Sequence, residues 1–217
     1  KNQEEFNACA NMVEKSFKYY HEIFDAYNEY DGINNLCTLN KKAYEEDVKV
    51  PEELFELIKY MKNVEPFLKQ SVNIALGEVL ELWHTAREVS ISNKENAYIP
   101  SEDKLIDASK SNRIDDIVLN NNGTIRFLNK NLRINLGAIA KGWTTEKVAK
   151  HIEENGFSSF IINAGGNVRC SGSPKDGRKA WGLMIKDPLA SSNKSAEVLF
   201  LQNLSTVTSG DYERYFT

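Results

Sequence analysis

The residues best suited to chemistry lie in three short segments, each pairing glycine with polar or charged groups. Leu136-Gly-Ala-Ile-Ala-Lys-Gly142 reads as a strand running into a glycine, then small residues, Lys141, a second glycine and a helix. Backbone bare of bulky side chains lets a ligand approach closely. A helix N-terminus presents free N–H groups to phosphate, and Lys141 adds a point charge there. The spacing fits neither a P-loop nor G-x-G-x-x-G. A tight strand-to-helix turn with a solvated lysine explains the same residues equally well.

Asn163-Ala-Gly-Gly-Asn167 follows an apolar run. Its paired glycines fit positive φ and close backbone approach, or a plain β-turn. Thr208-Ser-Gly-Asp-Tyr212 places hydroxyls, a glycine and a carboxylate after another strand. Asp211 is its candidate acid–base or metal-shell group, with an Asx or Ser/Thr turn as the alternative.

Other chemistry finds less support. His21, His84 and His151 lie on predicted helices, none at metal-ligand spacing from another His, Cys or Asp, and read as surface or packing residues. Cys9, Cys37 and Cys170 form no Cys-x-x-Cys pattern and read as small buried hydrophobes. No nucleophile elbow is present. A net charge of −4 argues against duplex nucleic acid as a partner. No apolar run reaches transmembrane length.

Helices come first along the chain. Phe6, Ala10, Val13, Phe17, Tyr20, Phe24 and Tyr27 form an apolar stripe, expected to be core, on a long helix ended by Asp31-Gly32. Residues 36–40 read as a short polar connection. Pro51 opens a second helix that Pro66 should end or kink. A third is expected over 76–88, a polar loop over 90–100, and a short helix after Ser101. Strands follow: 114–119 and 124–128 around Asn121-Asn122-Gly123, then 133–139, 159–163, 181–185 and 198–201, with a helix over 144–154. This order predicts an α+β fold, N-terminal helices packed with a mixed, mainly antiparallel sheet, in a single domain over 1–217.

Together these segments resemble the ApbE family. Tyr27-Asn28, Gly32-Ile-Asn-Asn35 and Leu39-Asn40 resemble its early Y-N and L-N segment, and Asn73-Ile-Ala-Leu-Gly77 with Leu82-Trp83 its next one. Asn135–Gly142 is similar to D-L-G-G-I-A-K-G, Asn163–Asn167 to N-A-G-G-D/N, and Thr208–Glu213 to T-S-G-D-Y-E. The resemblance implies an Mg²⁺-dependent FAD:protein FMN transferase. Such an enzyme moves FMN from FAD onto a Thr or Ser of an acceptor protein and releases AMP. An FAD pyrophosphatase giving FMN and AMP, or a non-catalytic FAD-binding protein, are the alternatives. Tyr27 would then pack on the flavin, and Ser71, Val72 and Asn73 would line the FAD site. Asn135 and Lys141 would contact FAD, the Ala138 carbonyl would face Mg²⁺, and Asp211 would be catalytic. The family also implies an extracytoplasmic, membrane-anchored lipoprotein.

Three departures stand out. Asn135 replaces the family's Asp, and Glu78 follows Gly77 where Pro is common. Two further family segments, one of them carrying the carboxylate and hydroxyl metal ligands, do not occur before Thr217. A leader before Lys1 and a C-terminal portion after Thr217 are therefore expected, and the 217 residues alone should bind flavin weakly and transfer poorly.

Overall fold

In the computed structural model, residues 2–68, 71–189 and 195–210 are described. They divide into two compact units, one of residues 18–138 and one of residues 1–17 with 139–217. Helix α1 (Gln3–Phe24) contributes to both. Its expected core stripe is only half-buried at Val13, Phe17, Tyr20 and Phe24, and Phe6 is exposed; Ile23 alone is buried. Tyr27 lies beyond the helix end, so its ring is free of the stripe.

The 18–138 unit holds most of the buried apolar side chains. Its helices are α2 (Leu36–Lys42), α3 (Glu52–Leu68), α4 (Gly77–Ser92) and α5 (Glu102–Ser109). Strands β1 (Val48–Lys49), β2 (Ile117–Leu119) and β3 (Thr124–Phe127) make an antiparallel sheet in the order β1-β3-β2. Leu36, Leu39, Leu54, Leu57, Ile58, Ile74, Ile125, Phe127 and Ile134 are among its fully buried residues.

Several elements differ from expectation, each for a physical reason. Residues 36–40 are a buried helix, not a polar connection, because Leu36, Cys37 and Leu39 point into the core and Asn35 caps the helix through Thr38 N–H. Helix α3 continues two residues past Pro66. Helix α4 runs on to Ser92, into the expected loop. Ser101 stands at the N-cap of α5 but makes no side-chain cap bond. Residues 114–116 form a 3₁₀ turn before β2.

The expected 133–139 strand is not a strand. Leu132, Ile134 and Leu136 do alternate inward, but among the described residues the segment's ladder pairing is one isolated parallel bridge, Leu76–Arg133. An alternating apolar pattern needs a neighbouring strand, not just a core, to become sheet.

The other unit packs α6 (Ala140–Glu154) against an antiparallel sheet of β4 (Phe160–Ala164), β5 (Asn167–Ser171) and β8 (Ser205–Val207), order β4-β5-β8. Strands β6 (Trp181–Lys186) and β7 (Ser195–Leu201) form a separate antiparallel pair. Arg169 on β5 reaches Glu146 (3.0 Å) and Glu153 (3.4 Å) of α6, and Ser171 donates to Glu153 at 2.7 Å. These bonds tie helix to sheet beside the buried Val148, Ala149, Ile152 and Cys170. Helix α6 starts four residues before the expected point, so Lys141 and Gly142 sit in its first turn and not in a loop. No described helix is long and apolar enough to cross a membrane.

Candidate functional site

Tyr27 is the aromatic centre of the 18–138 unit's candidate site, and three asparagine or aspartate side chains place it. Asp25 accepts the backbone N–H groups of Tyr27 (2.8 Å) and Asn28 (3.2 Å) and the Tyr30 hydroxyl (3.0 Å). Asn35, fully buried, directs its amide N–H groups at the carbonyls of Glu22, Asp25 and Asn28. The Asn135 amide then donates to the Tyr27 hydroxyl at 3.1 Å.

Asn135 is itself held on both sides. Its N–H donates to Ile74 O (2.9 Å), and its side-chain oxygen accepts from Gly137 N–H (2.8 Å). One residue earlier, buried Asn40 closes a two-way bond with Ile134, donating to its carbonyl at 2.9 Å and accepting from its N–H at 2.8 Å. The early segment and the Asn135 segment are thus one hydrogen-bonded assembly. Gly77 N–H donates to Arg133 O at 3.0 Å, which brings in the Asn73–Gly77 segment.

A cleft of about 390 Å³ opens at this assembly, lined by Tyr27, Asn40, Lys41, Glu81, Arg133 and Asn135 among others. A larger hollow of about 590 Å³ lies by Lys49, Phe55, Lys59 and Asn120–Gly123. It holds none of the motif residues, so chemistry rather than size selects the smaller cleft.

Electrostatics here are mild. Burial pushes the Tyr27 phenol up, partly offset by the Asn135 hydrogen bond. Burial alone would raise the Asp25 carboxyl, but the hydrogen bonds from Asn28, Tyr27 and Tyr30 outweigh it and hold it below its ordinary value. A depressed carboxylate stabilises the fold above its unfolded pKa and loses that contribution as pH falls through the folded value. Asp25→Asn should therefore be less stable than the parent at pH 7, and the gap should start to narrow as pH falls below about 4 and vanish only beneath the depressed folded value. Urea unfolding at neutral and acid pH checks this; a gap that does not narrow in acid would refute it.

Ser71 is exposed and Val72 half-buried, and neither lines the cleft. Asn73 turns its amide inward, donating to Asn112 O (2.8 Å) and accepting from Ala75 N–H (2.8 Å). Ala138 is exposed in the turn before α6. His84, which the sequence marked as a surface or packing residue, is stacked on Tyr27 with ring centroids 3.7 Å apart and planes at 16°. Spacing along the chain carried no signal for that pairing.

In the other unit Gly142, the Asn163–Asn167 segment and Thr208 lie close together. Lys141 is exposed in the first turn of α6, whose N-cap, Ile139, supplies no side-chain bond. A Cβ on Gly142 would lie 3.4 Å from Asn167 Nδ2. Gly165 and Gly166, at φ +62° and +89°, make the two-residue turn that joins β4 to β5. The positive φ that the paired glycines suggested is present in a hairpin turn, and β5, like β1 and β8, is a strand not expected from the sequence. Gly-Gly between two short runs was the available signal for β5. Thr208 N–H donates to Gly166 O at 3.0 Å. Asp211 lies outside the described residues.

The profile of the ApbE family matches residues 3–217. A Vibrio cholerae FAD:protein FMN transferase is 22% identical over 195 residues, covering 90% of this chain and 56% of the relative. A Treponema pallidum protein of the same name is 27% identical, covering 83% and 52%. The Thermotoga maritima ApbE protein superposes with a TM-score of 0.81 at 26% identity, over 97% of this chain and 65% of that one. The chain spans little more than half the length of these two curated relatives. With a profile match over nearly every residue and a shared α+β fold, the chain belongs to the ApbE family.

Proposed function

We propose that this chain serves an FAD:protein FMN transferase, which attaches FMN to a Thr or Ser of an acceptor protein through a phosphoester bond and releases AMP. The observation that carries the reading is the Tyr27–Asn135 pair at a cleft of mixed polar and apolar lining, built from segments that carry the family resemblance. A half-exposed phenol ring beside amide donors and acceptors suits a planar, hydrogen-bonding heterocycle such as the isoalloxazine of FAD.

Within this reading Tyr27 packs on the flavin and Asn135 both orients the Tyr27 ring and meets the ligand. Ser71, Val72 and Asn73 do not line the cleft, so their assignment to FAD rests on the family resemblance. The Asn73 amide is engaged at home. Lys141 stands in the first turn of α6 in the other unit, and its assignment to FAD rests on the family resemblance.

Magnesium is a weaker fit. Mg²⁺ takes near-octahedral oxygen coordination. The Ala138 carbonyl offers one ligand, and no group of three His, Cys, Asp or Glu side chains stands ready among the described residues. The proposed Mg²⁺ dependence and the catalytic role of Asp211 thus rest on the family resemblance. So do the acceptor protein and an extracytoplasmic, membrane-anchored location.

The test is FAD titration of the purified chain, with and without Mg²⁺, followed by a gel assay for covalent flavin on an acceptor domain. Weak FAD binding that Tyr27→Ala abolishes, with slight Mg²⁺-dependent labelling, is the expected result. A folded chain that binds no FAD would overturn the reading. FMN and AMP released with no acceptor present would turn it into a pyrophosphatase.

A further inference from the structure

Tyr27 is held by hydrogen bonds at its backbone and its hydroxyl, and its ring is stacked on one other ring. Its backbone N–H is held by Asp25 and its hydroxyl by Asn135. Both anchors lie on or near the long axis of the side chain. They leave rotation of the ring about that axis, a broad torsion in tyrosine, unopposed. Only a group against the face can set the ring plane.

His84 is that group. Its imidazole lies nearly parallel to the phenol at 3.7 Å between centroids, closer than most aromatic pairs. His84 is in turn anchored on α4: Arg87 Nη2 lies 3.2 Å from its Nδ1, and Arg87 also binds Glu88 at 3.0 Å. Glu88 Oε1 also lies 4.0 Å from the same Nδ1. The imidazole is thereby held in its own plane and passes that plane on to Tyr27.

We infer that His84 is a positioning residue for the aromatic ligand of this cleft: by stacking on one face of Tyr27 it fixes the plane on which a flavin-type ring docks. This rests on the flavin-binding reading above and adds to it a residue outside the family segments. His84 itself is not a catalytic residue.

The test uses the whole chain and three variants, His84→Ala, His84→Phe and Tyr27→Ala. FAD affinity, quenching of flavin fluorescence on binding, and the thermal midpoint are measured for each. His84→Ala should weaken FAD binding roughly three- to tenfold and reduce the quenching, with a midpoint close to the parent's. His84→Phe, which keeps a ring on the face, should restore both. Unchanged affinity and quenching in His84→Ala, or a His84→Phe as weak as His84→Ala, would overturn the inference while leaving flavin binding intact. If the parent chain binds no FAD, the functional reading fails instead. The Tyr27 ring proton shifts, read by NMR without ligand, then decide the geometry. An imidazole ring-current shift lost in His84→Ala supports the positioning role, and its absence in the parent refutes it.

Discussion

Replacing Gly77 by alanine should cost about 3 kcal/mol or more of stability, an overpacking effect at the top of the usual range. The added Cβ would lie 2.5 Å from Arg133 O, 2.6 Å from Arg133 C and 2.8 Å from Arg133 Cβ. Two of these are backbone atoms, so no rotamer change relieves the clash. The chain must instead separate, and it separates where Gly77 N–H meets Arg133 O and Asn135 N–H meets Ile74 O. The Asn135 segment would move off the cleft with it. Gly32→Ala is the control. Its φ is +74°, but nothing lies within 4 Å of the new Cβ, so only backbone strain of about 1–2 kcal/mol is expected. Urea unfolding of both variants measures the difference. A Gly77→Ala protein no less stable than Gly32→Ala would show that the close approach is not as described.

Asn35→Ala should rank next, at about 3 kcal/mol. Loss of the helix cap at Thr38 accounts for about 1 kcal/mol. The remainder comes from the carbonyls of Glu22, Asp25 and Asn28, which share the two amide hydrogens of a residue with no exposed surface. Asn35→Asp separates the two parts. It keeps the acceptor that caps α2 and replaces the donor with a negative charge facing carbonyl oxygens. It should therefore be no more stable than Asn35→Ala. An Asn35→Asp protein with parental stability in chemical denaturation would reduce the residue to a simple cap.

The sequence made the family-motif positions legible and left most of the contacts around them hidden. Tyr27, Asn135 and the Asn73–Gly77 segment were recognisable because their residue types and order match a family pattern. Lys141 was legible too, although the helix around it begins earlier than the glycines implied. The helix at Leu36–Lys42 was misread because Thr38 and Asn40 look polar from the sequence, while in the fold both are buried and bonded. Asn35 was the signal that could have found it, as an N-cap before two leucines. The 133–139 segment failed for the opposite reason. Its alternation was real, but periodicity reports burial of one face and says nothing of whether a partner strand exists. His84 was invisible in principle, because 57 positions of chain separate it from Tyr27 and only the fold makes them neighbours.

The Asn40–Ile134 bond has a consequence for how the cleft comes into being. Its partners are 94 residues apart, and the Asn135–Tyr27 pair that depends on it spans 108. Closing loops of that length costs chain entropy before any contact rewards it. Local helices can form early, and α2 and α4 carry Asn40, Lys41 and Glu81, but Arg133 and Asn135 must come from far along the chain to meet them. The recognition surface is therefore a late product of folding, completed only when the residues around 134 dock on the buried asparagine. A partly folded chain with all its helices in place would still lack the closed cleft.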